Sequence, residues 1–92
     1  MKFNPGKFVV TCGVEHLISR NDAFAKFVHL SIRRHLAGDW GDVWDDDRVR
    51  NEEALQHGDR LFSAFKSDVL PDIWIITERD RSYTTVLFPD EY

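Results

Sequence analysis

The feature that most constrains how this chain can fold is a change of hydrophobic period near Asp59. Upstream, Phe24, Phe27, Val28, Ile32 and Leu36 recur at three- and four-residue spacing, the repeat of a helix that buries one face. Downstream, Arg60 to Lys66 (RLFSAFK), Ile73 to Glu78 (IWIITE) and Tyr83 to Phe88 (YTTVLF) are rich in β-branched and aromatic residues, and we read them as strands of period two. SDVLPD and RDRS, between those runs, supply turn chemistry. Helices first and a meander last predict an α+β fold. We expect two to three helices on one face of a three- to four-stranded antiparallel meander, with an N-terminal strand added at an edge.

The upstream elements can be placed from their ends. Lys7 to Thr11 (KFVVT) reads as that N-terminal strand and Val14 to Ser19 as a helical turn. The long helix starts at Asn21, a capping residue, and stops before Gly38. Its last turn holds Arg33, Arg34 and His35, which suit the negative end of the helix dipole. DDDRVRNEEALQHG reads as a second long helix that opens on acids and ends at His57, with Gly58 beyond. A chain of 92 residues with 42% hydrophobic side chains can close one core, so residues 1–92 are expected to form a single domain. Seven Phe and three Trp can fill that core without a disulfide or a structural metal. The single Cys12 has no partner for an internal bridge and is expected to be buried and inert in a reducing, cytoplasmic setting. The opening MKFNPGKFVVTCGVEHLI is interrupted by Thr11, Gly13 and Glu15, and we read neither a leader nor a membrane span in it.

Charge is distributed unevenly. Residues 1–38 hold six Lys/Arg against two acids, whereas residues 39–92 hold six against fourteen, for a formal net charge of −4. Such a chain lacks the concentrated positive charge of a nucleic-acid binder and suits a protein partner with a basic surface.

The acidic half opens on GDWGDVWDDD, Gly38 to Asp47, with five aspartates and two tryptophans in ten residues. A calcium loop is the sharpest chemical idea, but an EF-hand needs oxygen ligands at alternate positions, and counting from Asp39 these are Gly41 and Val43. We therefore expect no metal and no cofactor. Two readings remain. In one, Asp39 and Asp42 cap turns, Asp45, Asp46 and Asp47 open the next helix, and Trp40 and Trp44 clamp the connector to the core. In the other, Asp39, Asp42, Asp45, Asp46 and Asp47 steer a partner and Trp40 or Trp44 anchors it, since aromatic residues ringed by charge make binding hot spots.

Other constellations are weaker. Cys12 and His16 lack a third, orienting group. The histidines His16, His29, His35 and His57 show no zinc-ligand spacing. Glu78, Arg79 and Arg81, with Arg60 on a neighbouring strand, could supply a base and phosphate-binding arginines, as in small bacterial endoribonucleases or toxins of similar layout. No histidine follows His57 to act as general acid, and the net acidity opposes a polyanionic substrate.

Four segments together resemble a family of small "plasmid-related" proteins encoded on plasmids and integrative elements: NPGKFVVTCGVEHL, GDWGD at Gly38 to Asp42, NEEALQHGDRLFSAF at Asn51 to Phe65, and IWIITERDRSYTTVLFPDEY at Ile73 to Tyr92. The first long helix and the VWDDD segment depart from the family pattern, and the resemblance brings no catalytic residues with it. It implies a mobile-element protein acting as a regulator or inhibitor of host defence, of the anti-CRISPR or anti-restriction kind. The expectation is thus a non-enzymatic binding protein whose partner is a basic, nucleic-acid-binding defence complex, with no membrane and no direct nucleic-acid contact. The endoribonuclease reading and a dimerisation module, a homodimer through the open sheet face, are the alternatives.

Overall fold

A computed structural model describes all residues from Met1 to Tyr92. The chain runs β1 (Lys7–Val10), α1 (Cys12–Arg20), α2 (Asp22–Leu36), α3 (Asp45–His57), β2 (Leu61–Phe65), β3 (Ile73–Thr77) and β4 (Tyr83–Leu87), closing on a short 3₁₀ turn at Pro89–Glu91. The ends are set by the chemistry expected of them. Asn21 Oδ1 accepts the Phe24 amide at 3.0 Å and starts α2, and Gly58 takes a left-handed conformation at the end of α3. No helix is long and apolar enough to cross a membrane.

The four strands form one sheet in the order β1-β4-β3-β2. β2, β3 and β4 make the expected antiparallel meander. The sheet as a whole is mixed, however, because β1 lies parallel to β4, with Lys7 opposite Tyr83 and Val10 opposite Val86. Contacts at the start of β1 set that direction. Thr84 Oγ1 donates to the Pro5 carbonyl at 2.7 Å, and Gly6, at φ +67°, lies so close to the Arg81–Ser82 backbone that a Cβ would sit 2.4 Å from the Arg81 carbonyl oxygen. Only a glycine permits that approach. Hydrophobic period records which face a strand buries but not which way it runs, so the parallel pairing left no mark in the pattern.

Helices α1 and α2 cover one sheet face, where Val14, Phe24 and Val28 meet Phe65, Ile73, Ile75 and Val86. Helix α3 lies beside β2, and Ala54 joins Trp40, Val43, Leu61 and Ala64 in a second apolar cluster. Cys12 is exposed at the start of α1, contrary to the buried thiol expected. A β-strand ending at Val10 leaves Cys12 in the first turn of α1, outside the stripe that Val14 buries.

His35 also departs from expectation. It is fully buried rather than placed as a cation in the last turn of α2, because Phe24, Val28, Ser31 and His35 share the buried stripe of that helix. Its Nδ1 lies 2.5 Å from Ser63 Oγ and its Nε2 lies 2.9 Å from Thr77 Oγ1. Thr77 Oγ1 in turn lies 2.7 Å from Thr84 Oγ1. The direction of every proton follows from the far end. The Pro5 carbonyl can only accept, so Thr84 donates to it, Thr77 donates to Thr84, and His35 Nε2–H donates to Thr77. Nδ1 is left to accept from the Ser63 hydroxyl. Burial pushes the ring's pKa down to about 4 from 6.5, so at neutral pH it carries the Nε2 proton alone. The relay joins α2, all three meander strands and the segment before β1, and leaves no buried side-chain polar atom unpartnered.

This arrangement makes stability depend on pH. Above about pH 6.5 both folded and unfolded chains carry a neutral His35, and the residue adds no pH dependence. As pH falls from 6.5 towards 4, the unfolded chain takes up a proton that the folded chain refuses. Stability therefore declines through that window by roughly 3 kcal/mol. Asp39, held below its ordinary range chiefly by its hydrogen bond to Arg34, loses its contribution only at lower pH. In urea titrations from pH 7 to pH 4, His35→Gln is expected to start about 2 kcal/mol less stable at neutral pH, because the Ser63 and Thr77 hydroxyls lose their partner. It is also expected to show a much flatter decline than the parent chain.

Candidate functional site

The acidic stretch does two different things in its two halves. Residues 40–42 run parallel to β2 through a bridge between Gly41 and Ala64. Ala64 N–H donates to the Trp40 carbonyl at 3.2 Å, and Asp42 N–H donates to the Ala64 carbonyl at 2.7 Å. Gly41, at φ +74°, is pressed so close that a Cβ would lie 2.2 Å from the Ala64 carbonyl oxygen. One step along, Asp42 Oδ2 accepts the Lys66 amide at 2.9 Å. One step back, the buried Asn51 amide of α3 imitates a strand. Its Nδ2 donates to the Phe62 carbonyl at 2.6 Å and its Oδ1 accepts the Phe62 amide at 3.0 Å. The outward backbone groups of β2 are thus paired at Phe62 and Ala64, as is the Lys66 amide just beyond it, and an edge that could otherwise template aggregation is closed.

This half of the stretch is structural. Asp39 grips Arg34 through two hydrogen bonds at 2.7 and 3.2 Å and accepts the Gly41 amide at 3.1 Å. Trp40 is 1% exposed, with its indole N–H donated to Glu52 at 2.7 Å. The clamp reading therefore holds for Trp40, which is closed to any partner.

The other half is free. Trp44 is 83% exposed, not clamped to the core, and serves as the N-cap of α3 without a side-chain hydrogen bond. Asp45, Asp46 and Asp47 occupy the first turn, where carboxylates complement the helix dipole. Asp45 and Asp46 form no ion pair, and Asp47 reaches Arg50 only at 3.9 Å. Beside them a groove of about 690 Å³ runs onto the sheet face that α1 and α2 leave open. Phe62, Ala64 and Trp74 of the sheet line it together with Trp44, Asp47 and Asp72. On the same face Phe62 meets Trp74 edge-on at 5.1 Å, Trp74 meets Tyr92 at 5.7 Å, and the Arg60 guanidinium stacks over Tyr92 at 5.6 Å.

The three arginines of the nuclease reading are otherwise engaged. Arg81, at φ +60°, directs Nη1 to the carbonyls of Asp59, Glu78 and Arg79 and Nη2 to that of Ala54, so it closes the C-terminal end of α3. Arg79 pairs with Asp59 at 3.4 Å, and Arg60 donates to the Tyr92 hydroxyl. Glu78 accepts at no side-chain hydrogen bond and stands beside no free arginine of this set. Nowhere do three His, Cys, Asp or Glu side chains gather to hold a metal ion.

Sequence reasoning found Trp44 and Asp45 to Asp47 but missed Asn51, Asp72 and Trp74. Asn51 could have been found, because it precedes Ala54 and Leu55 by three and four residues and so shares the buried face of α3. Asp72 and Trp74 join the site only through the sheet order. What these residues define is an acidic groove lined in part by aromatic side chains. No protein-family model, curated protein or solved structure matches the chain.

Asn51→Ala removes both imitation strand bonds and leaves the Phe62 amide and carbonyl unpaired. A loss of about 2 to 3 kcal/mol is expected in chemical denaturation. Asn51→Asp is expected to cost more, because it sets a carboxylate against the Phe62 carbonyl.

Proposed function

We propose that the chain is a non-enzymatic protein-interaction module that offers Trp44, Asp45, Asp46 and Asp47, with the adjoining groove, to a partner with a basic surface. One observation carries this reading: the single tryptophan left in water stands at the head of three carboxylates, of which Asp45 and Asp46 have no cationic partner and Asp47 meets Arg50 only at 3.9 Å. Such an arrangement combines steering, which accelerates encounter with a cationic surface, and an apolar anchor, which slows release. The partner class that fits both this surface and the resemblance to mobile-element proteins is a nucleic-acid-binding defence complex. The chain would then act by occupying part of the positive surface meant for nucleic acid.

The test is capture from host lysate with the parent chain, with Trp44→Ala, and with Asp45, Asp46 and Asp47 all changed to Asn, which keeps size and removes charge. Both variants are expected to keep the far-ultraviolet circular dichroism of the parent and to lose the captured protein. The parent's capture should also weaken steeply as salt is raised. Equal recovery by all three chains would overturn the reading.

A second reading rests on β1, whose outer edge has no neighbouring strand and displays Phe8 and Val9 at 45% and 40% exposure. Two such edges could pair antiparallel about a two-fold axis. Light scattering is expected to give a dimer on this reading, reduced to a monomer by Val9→Lys; a monomeric parent chain removes it.

A further inference from the structure

We infer that the groove beside Trp44 receives an arginine side chain of the partner, a deepening that rests on the interaction reading above. Three observations converge on that occupant. Half of the groove's ten lining residues are hydrophobic, Phe62, Ala64 and Trp74 of the sheet among them, which suits a weakly hydrated cation better than a strongly hydrated point charge. Its border is nevertheless anionic, with Asp42, Asp47 and Asp72 against the single cation Lys66, and Lys66 is ion-paired with none of them. Finally, the same aromatic row already stacks one guanidinium, that of Arg60 over Tyr92, two rings along from Phe62.

A guanidinium meets all of these conditions and an ammonium does not. It is planar, weakly hydrated on its faces and able to donate edge-on to a carboxylate while stacked on an indole. Asp72 immediately precedes β3, and Asp47 lies in the first turn of α3, so the acceptors come from two elements that flank the groove. Asp42 has one oxygen committed to the Lys66 amide and contributes charge more than hydrogen bonds. Trp44, with nothing over most of its surface, supplies the ring that closes on the cation.

The probes are short capped Gly/Ser peptides carrying one central Arg, Lys or citrulline, followed by the indole N–H signals of the three tryptophans in nuclear magnetic resonance titrations. The Arg peptide is expected to shift the Trp44 and Trp74 signals and leave that of the buried Trp40 in place. The Lys peptide should bind several-fold more weakly, and citrulline, which keeps the shape but not the charge, about tenfold more weakly. Trp44→Ala and Asp72→Asn should each weaken the Arg peptide by about fivefold to tenfold. Asp72 lies outside the Asp45–Asp47 set, so its variant separates the two proposals. Equal binding of Arg and Lys peptides, or no shift of Trp74 at millimolar peptide, overturns the arginine pocket. If lysate capture still fails with the Asp45–Asp47 variant, the broader interaction reading survives that result. If capture is unaffected as well, both fall.

Discussion

A neutral histidine with a defined proton order ties this domain together. His35 is the point at which α2, β2 and β3 meet through side chains, and Thr84 extends the same relay to the peptide before β1. Phe3 and Trp40 enclose its ring at centroid distances of 5.3 and 5.6 Å, so the polar relay is shut inside an aromatic shell. In such a setting each hydrogen bond is strengthened by the low local dielectric, and each lost partner is costly for the same reason. The relay therefore specifies register: shifting β3 by one residue would remove Thr77 from His35 and from Thr84 together. Hydrophobic packing alone would tolerate several arrangements of these small strands, and the hydroxyl chain selects one.

The relay also explains why the acidic stretch divides where it does. Trp40 must pack against His35 and Phe3, and that position brings residues 40–42 against β2, where Gly41 allows backbone pairing. Once Trp40 is fixed and Asp42 has taken the Lys66 amide, Val43 turns into the second apolar cluster and α3 begins two residues later. Trp44 is the residue this geometry cannot bury. It falls at the helix N-cap, extended at φ −67° and ψ 157°, with the core behind it already filled. Its exposure follows from the fold.

Much of this was legible in the sequence, for identifiable reasons. Helix α2 announced itself by its apolar stripe and by Asn21, α3 by its acidic start and Gly58, and the strands by their β-branched and aromatic composition between turn segments. The direction of β1 was not legible, since it depends on a carbonyl 79 residues from its partner Thr84. His35 was misread although its signal was present: proximity to Arg33 and Arg34 suggested a cation, while its place in the stripe with Phe24 and Val28 pointed inward. The stripe prevailed because position on a helix decides burial, and burial then decides charge. At the site, Trp44 and its three aspartates could be read as a run of neighbours. Asp72, Trp74 and the β2 edge closed by Asn51 could not, because they are brought together only by strand order.

The helix dipole adds a constraint on how any cation approaches the free half of the stretch. Asp45, Asp46 and Asp47 lie in the first turn of α3, whose N-terminal end carries the equivalent of roughly half a positive charge. A cation placed on the helix axis would be attracted by the carboxylates and opposed by that end at short range. Away from the axis, over the groove that Asp47 and Asp72 both line, the opposition fades. Solvent screening further weakens interactions with the more distant acids, so the local geometry counts for more than the net charge of −4. On the proposed reading, the dipole thus favours a binding position over the aromatic face rather than on the aspartates themselves, and the carboxylates most visible in the sequence would act mainly to bring the partner there.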